Sequence, residues 1–392
     1  MAATDGDSLS EGLGKERKRS SRVVILAVII VAILIVGAVA WLAVQSGNDK
    51  EQHPSEYTKH SPISIKGNGG FTNASGVVGG SGMASDPYII ADWDISASTA
   101  DGIWIQDTNA HFIVRDCRVH DGSPSYHGIS LSNCVNGTLE DNSCLNDYRG
   151  IVLDLSSNNT LSNNTCSLNQ YGIYLVSSSN NTLNNNNCSN NFDSIGLLSS
   201  SNNTLNNNNC SSDSYDGIVL LSSSNNTLSD NSVSSNDNGG ITLYSSSNNT
   251  LSDNNCSSNE YWGIGLGSFS INNEISWNQV SNNGGWGVDI SSGSNNRVWY
   301  NAIIGNNGAT GTYNASHAQA RDDGTSNLWN GTDAYGNHGN YWSDWTMPDA
   351  VPPQGIVDHP YIISGSAVAK DYCPLSYNPR IIGISFIPSC LS

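Results

Sequence analysis

Between Arg149 and Arg297 the sequence contains no Lys, no Arg and no His. A protein that tracks nucleic-acid phosphates needs a basic stripe to release counterions, so that absence excludes nucleic acid as a partner. It also speaks against a lyase for acidic polysaccharide, which requires a cationic base or charge neutraliser. Charge of either sign is scarce, at 12% of residues, and what there is runs acidic: 15 Lys plus Arg against 34 Asp plus Glu, a formal net charge of −19. Methionine is limited to Met1, Met83 and Met347, and no His lies between His127 and His317, so a copper or zinc centre would find few ligands there. Asn and Ser fill the space, at about 29% of the chain, well above ordinary globular usage. With 37% hydrophobic residues, 10 Trp and 16 Tyr, the chain is too apolar for a disordered polar tract, so the Asn and Ser sit on a folded object.

One long apolar run breaks the pattern. Val23 to Val44 carries no charge and as a helix would span about 33 Å, enough to cross a bilayer. Lys15, Arg17, Lys18, Arg19 and Arg22 precede it, and Asp49 and Glu51 follow, which places the N-terminus in the cytoplasm. Ala38-Val39-Ala40 has the small-x-small form of a signal-peptide cleavage site, and cleavage there is the other reading. Both export the rest of the chain, which has 10 Lys plus Arg against 30 Asp plus Glu, a net −20. Asn-x-Ser/Thr triplets, among them those at Asn73, Asn158, Asn180, Asn202, Asn225, Asn248, Asn314 and Asn330, could then meet a glycosylation machinery.

The exported part repeats. Small-residue/Ile pairs fall at 102, 128, 150, 172, 194, 217, 240, 263 and 287, where the last is Gly287-Val288; after a first step of 26 the spacing holds at 22 to 24. An Asn-Asn-Thr-Leu signature follows, ending at Leu161, Leu183, Leu205, Leu228 and Leu251. Self-similarity at this period marks a solenoid. The apolar residues come in short alternating runs such as Ile173-Tyr-Leu175, each followed by turn residues, so the units are strands rather than helices. Three strands and three turns per coil, stacked at about 4.8 Å, make a right-handed parallel β-helix, and nine or ten coils give a rod of about 45 Å.

Each sequence column then acquires a place. Ile and Leu of the Gly-Ile strand face inward. The second Asn of each Asn-Asn-Thr, at Asn159, Asn181, Asn203, Asn226 and Asn249, followed by Asn273 and Asn296, forms an internal ladder in which every amide donates and accepts along the axis. Cys144, Cys166, Cys188, Cys210 and Cys256 share a column with Val233, Val280 and Ile303. Nine Cys in an exported protein suggests disulfides, but alternation with Val and Ile marks this column as apolar filler.

Two ends frame the repeats: Ile63-Ser-Ile-Lys-Gly-Asn-Gly-Gly-Phe71 with Gly79-Gly-Ser-Gly-Met-Ala-Ser-Asp-Pro-Tyr-Ile-Ile90, and Gly339-Asn-Tyr-Trp-Ser-Asp344 with Gly355-Ile-Val-Asp-His-Pro-Tyr361 and Asp371-Tyr-Cys-Pro-Leu375. On these motifs the chain resembles the NosD-like right-handed β-helix proteins, also described as carbohydrate-binding proteins and sugar hydrolases, in the form found on archaeal cell surfaces. The resemblance implies a surface β-helix and, through the family name, maturation of a copper centre. The dearth of His and Met in the coils argues against carrying that role over, and where family members often have an acidic, glycine-rich loop that could hold a hard cation, the single carboxylate between Met347 and Gly355 argues against calcium. No cofactor and no metal is assigned. The domain plan is a cytoplasmic basic tail at 1–22, a transmembrane helix at 23–44, a linker at 45–62, the β-helix with its N-terminal cap at 63–303 and a C-terminal cap region at 304–392.

Carboxylates and aromatics remain as carriers of function. Asp193 and Asp216 each immediately precede a small-Ile pair and so sit on adjacent coils, a pair that a glycoside hydrolase could use. Beside them the same loop carries Tyr148, Tyr171, Phe192, Tyr215, Tyr261, Trp262 and Trp286, a stripe whose flat faces would stack on the rings of a neutral polysaccharide or cell-surface glycan. The expectation is a membrane-anchored surface or adhesion module that binds neutral carbohydrate without cleaving it. The alternatives are the hydrolase and a structural spacer or protein-binding scaffold. His111, Asp116, Cys117, His120, Asp121 and His127 form a denser polar cluster in the early coils, read as turn surface.

Overall fold

The structure is a computed structural model that describes residues 57–334, 336–347 and 356–380. The basic tail, the Val23–Val44 run, most of the linker, the loop at 348–355 and the apolar tail Ile381–Ile387 lie outside the described residues. Among the described residues no helix is long and apolar enough to cross a membrane.

The chain winds into three sheets, each taking one short strand per coil. The Ile sheet has eleven strands, from Ile63–Lys66 through Arg149–Asp154 and Asp193–Leu198 to Ala320–Asp322. The Leu sheet has eleven, from Val77–Gly79 through Thr160–Ser162 to Arg297–Trp299. The Cys sheet has twelve, from Thr58–His60 through Thr165–Ser167 to Tyr341–Trp342. Neighbours pair in parallel, as in Ile151 with Ile173 and Leu161 with Leu183, except at the start of the Leu sheet, where Val77–Gly79 runs antiparallel to Tyr88–Ala91. The result is a parallel β-solenoid of the right-handed type, as expected, and eleven strands at the inter-strand spacing give a length of about 48 Å.

The expected columns are in register. Cys144 pairs with Cys166, Cys188, Cys210, Val233, Cys256, Val280 and Ile303 in succession. Its five Cys are free and fully buried; a hydrogen bond to the Cys166 thiol and then burial push up Cys144, burial pushes up Cys210 and Cys256, and Cys166 and Cys188 are raised on balance against their hydrogen bonds with Cys144 and Cys166 respectively. The Asn159 ladder runs through the interior as foreseen: Asn181 Oδ1 accepts from the Asn159 backbone at 2.9 Å and from its Nδ2 at 3.3 Å, and the pattern repeats down to Asn296 and Asn327.

The sequence reading found one ladder and the rod has more. A second climbs from Asn142 through Asn164, Asn186, Asn208, Asn231, Asn254, Asn278 and Asn301 to Asn340. A third, at the corner leading into the Ile sheet, passes through Asp147, Asn169, Asn191, Asp213, Asn236, Asn259, Asn283, Asn306 and Gln319. The residue before a ladder position turns the corner in the left-handed region, as Asn158 (φ 58°), Asn163 (φ 55°) and Asn185 (φ 57°) do. Asn tolerates that conformation better than most residues, so the Asn-Asn doublets are explained: the first bends the chain outside and the second pays into the ladder inside.

Rings close both ends. At the N-terminal end Phe71 stacks on Tyr88 at 4.5 Å and packs on Phe112 at 5.6 Å. At the other, Trp342 stacks on Tyr361 at 3.9 Å. The buried Asp371 accepts from Trp342 Nε1 at 2.9 Å and from the Asn340 N–H at 2.7 Å, and burial lifts its carboxyl to about 7. That contact ties the Gly339–Asp344 and Asp371–Leu375 motifs together.

Candidate functional site

The outer edge of the Ile sheet is where the repeat stops repeating. Inward positions of this sheet hold Ile and Leu in coil after coil, fixed by the core. The residue immediately before each small-Ile pair is free to vary and reads Asp101, His127, Arg149, Tyr171, Asp193, Asp216, Gly239, Trp262 and Trp286. Strand pairing places Arg149 beside Tyr171 and Tyr171 beside Asp193. One edge of a rigid sheet therefore carries an acid, an imidazole, a guanidinium, a phenol, two more acids and two indoles in file.

Asp193 and Asp216 do come together. Asp193 Oδ1 accepts from the Asp216 N–H at 3.0 Å, and Asp216 Oδ1 in turn accepts from the Gly239 N–H at 2.8 Å and from Asn238 Nδ2 at 2.9 Å. Asp101 does the same for the His127 N–H at 2.9 Å. Each Asp caps the backbone of the next coil. Both members of the pair are nearly closed to solvent, at 6% and 2% exposure, and burial raises their carboxyls to about 6 and about 7. A hydrolase pair must reach the two faces of a glycosidic bond. This one is engaged with backbone beneath the surface, so the geometry suits capping.

The aromatic stripe exists, in two parts. His127 stacks on Tyr148 at 5.6 Å, Tyr148 and Tyr171 meet edge to face at 6.5 Å, as do Tyr171 and Phe192, and Phe192 stacks on Tyr215 at 5.1 Å with an interplanar angle of 3°. The next coil carries Asn238 and Gly239 at the equivalent positions. Beyond that interruption Tyr261 contacts Trp262 at 6.1 Å, and Trp286 lies under the Arg321 guanidinium at 4.1 Å, itself held by Asp289 at 2.7 and 2.9 Å. Phe192, Tyr215 and Tyr261 are 41%, 44% and 54% exposed; the other rings of the stripe are half-buried.

Glycines on the sheet face hold some rings flat. A Cβ at Gly196 would meet the Tyr174 ring at 2.5 Å, at Gly265 the Trp262 ring at 2.6 Å and at Gly267 the Tyr244 ring at 2.3 Å. Trp262 is further pinned by donating Nε1–H to Thr242 Oγ1 at 2.9 Å. With its polar atom satisfied and one face bedded on glycine, the half-exposed indole is a ready platform for another flat group.

The sequence reading missed a groove at the first coils. Asp101, Trp104, His127, Arg149, Val152, Asp154 and Tyr174 line a space of about 460 Å³ on the Ile sheet. The signal was legible, since His127 and Arg149 stand in the same column as Asp193 and Asp216. The rest of the early polar cluster disperses. Cys117 points into the core, and His120 lies between Asp94 at 3.1 Å and Asp121 at 2.7 Å.

The family description "Periplasmic copper-binding protein (NosD)" matches residues 61–216 and 193–347, and the chain belongs to that family. No curated protein matches the sequence. Among solved structures it is similar to the mannuronan C-5 epimerase AlgE6 A-module of Azotobacter vinelandii, with 16% identity over 61% of this chain and 73% of that one and a TM-score of 0.52. It is also similar to the periplasmic alginate epimerase AlgG, with 15% identity over 72% and 80% and a TM-score of 0.49. At such identities the likeness is one of fold.

The donor set does not fit the copper that the family description names. The Cys column faces the core, and among the described residues no group of three or more His, Cys, Asp or Glu side chains could hold a metal ion. Met83 stands 66% exposed on the N-terminal cap, and His120 is committed to two carboxylates.

Proposed function

We propose that the chain is a cell-surface β-helix protein that binds neutral carbohydrate without cleaving it. The observation that carries the reading is the file of rings along the Ile-sheet edge: from His127 to Tyr215 their centroids stand 5.1 to 6.5 Å apart on adjacent coils, partly open to solvent, and beyond the break Trp262 is bedded on Gly265 and hydrogen-bonded to Thr242. Aromatic rings partly open along a rigid edge suit sugar rings, and a preorganised platform spends little entropy on binding. Anchoring through the Val23–Val44 helix, with the N-terminus in the cytoplasm, belongs to the same reading and rests on the uncharged run and its basic flank. Asn158, Asn180, Asn202, Asn225 and Asn248 form one exposed column of glycosylation triplets outside the Asn159 ladder, which suits an exported glycoprotein.

Retention of the detergent-solubilised full-length protein in gels containing neutral polysaccharides tests the binding. Tyr215→Ala/Trp262→Ala should weaken retention at least tenfold, since two stacking rings contribute about 2 kcal/mol, and no new reducing ends should form. Equal retention of wild type and double variant would turn the reading toward a spacer or protein-binding scaffold. For the anchor, alkaline extraction of membranes should leave the full chain in the pellet, and its release would defeat the anchored reading.

A further inference from the structure

Six arginines lie among the described residues. Arg115, Arg118, Arg297, Arg321 and Arg380 each have a carboxylate oxygen within 4.0 Å. Arg149 has none among the described residues, in a chain whose formal charge is −19. Its guanidinium sits instead among three phenol rings, 5.0 Å from Tyr148, 5.7 Å from Tyr171 and 4.7 Å from Tyr174. Its buried Nε has no hydrogen-bond partner. Ring faces hold the cation in place but accept none of its in-plane N–H groups, and a planar fork of such donors matches a carboxylate.

That fork lines the 460 Å³ groove, a volume within the range of small-ligand sites. Trp104, 38% exposed, offers a flat apolar wall. His127 is held below its ordinary value chiefly by burial, with Arg149 pushing the same way and Asp101 opposing, so at neutral pH the positive charge of the groove is Arg149's. Asp101 and Asp154 also line it and disfavour a second anion. The ring file begins at this spot, through His127, Tyr148 and Tyr171.

We propose that the groove binds the carboxylate of a single acidic sugar, a uronate residue within an otherwise neutral glycan, with Arg149 as the anchor. The neutral sugars on one side of it continue along the stripe toward Phe192 and Tyr215. A polyuronate is the wrong ligand, because Asp101, Asp154 and the net charge of the chain repel its further carboxylates. The proposal rests on the carbohydrate-binding reading and names the chemistry of its first subsite.

The test is tryptophan-fluorescence titration of the full-length protein in detergent. The probes are trisaccharides carrying one glucuronate, galacturonate or mannuronate on two neutral sugars, each paired with its carboxyl-reduced counterpart. At least one acid form should bind tenfold or more tightly than its reduced form. Arg149→Gln should bring that preference below threefold and Arg149→Lys should restore part of it, with circular dichroism confirming the fold. If acid and reduced forms bind alike across the panel, if neither binds, or if Arg149→Gln keeps the preference, the proposal is overturned. Its failure is separable from that of the stripe, which is read by neutral retention in Tyr215→Ala/Trp262→Ala with Arg149 intact.

Discussion

Replacing Asn208 with Ala should destabilise the rod by about 4 kcal/mol, while replacing its neighbour Asn207 with Gly should cost less than about 0.5 kcal/mol. Asn208 is 1% exposed. Its Oδ1 accepts from the Asn186 N–H and from Asn186 Nδ2, both at 3.0 Å, and its Nδ2 donates to the Leu183 carbonyl at 3.0 Å and to Asn231 Oδ1 at 2.9 Å. Truncation strands a buried backbone donor and a buried backbone acceptor, each costing about 1–3 kcal/mol, and interrupts the amide chain between two coils. Asn207 lies outside at φ 54°, where Gly is at ease. Denaturant unfolding of the full-length protein, with hydrogen exchange at the Asn186 amide, measures both. Equal effects at the two positions would refute the division of labour within the doublet.

That division also shows what the sequence could and could not disclose. Inward-facing Ile173, Leu183 and Cys188 recur because a rod of constant section offers every coil the same interior, so period and columns were legible without coordinates. The Asn159 ladder was legible because its doublet is followed each time by Thr-Leu. The Asn164 ladder passes through Leu-Ser-Asn-Asn and Leu-Asn-Asn-Asn variants, and the third changes residue type to Asp at Asp147 and Asp213, so neither kept a fixed signature. The ring beds at Gly196, Gly265 and Gly267 depend on contact between coils and left no local mark. The stripe was legible as a column, and so was its break at Asn238-Gly239, but not the burial of Asp193 and Asp216 or their hydrogen bonds to the backbone of the next coil. His127 and Arg149 share that column, but the groove they line with Trp104 and Tyr174 depends on contacts between coils.

The Asp213 substitution within the third ladder makes the stability of the rod depend on pH. Where Asn169 and Asn191 send Nδ2 to the carbonyls of Cys144 and Cys166 at 3.2 and 3.1 Å, Asp213 has no amide to offer Cys188. Ser194 replaces the Gly found at most of these corners, and its Oγ lies 2.6 Å from the Cys188 carbonyl while also bonding Asp213 Oδ2. A hydroxyl has one proton to donate. When Ser194 gives it to the carbonyl, the contact with Asp213 is satisfied by a protonated carboxyl donating to Oγ, so the neutral acid completes the chain that the amide completes elsewhere. Asp213 is 1% exposed, and burial raises its carboxyl to about 8, with the Ser194 and Asn191 hydrogen bonds pulling the other way. Above its ordinary value near 3.8 the unfolded chain ionises this group while the folded rod keeps it protonated. The folded state then holds more protons, and stability falls as pH rises from about 4 to about 8. Asp147 and Asp216, each raised to about 7 by burial, add in the same direction. Asp213→Asn removes the largest single share: the variant should match wild type near pH 4 and exceed it by on the order of 4 kcal/mol at pH 8, where wild type must either ionise a buried acid or hold its proton against solvent. Unfolding midpoints of the two proteins measured from pH 4 to 8 decide it, and parallel curves would show that Asp213 is ionised in the folded rod after all.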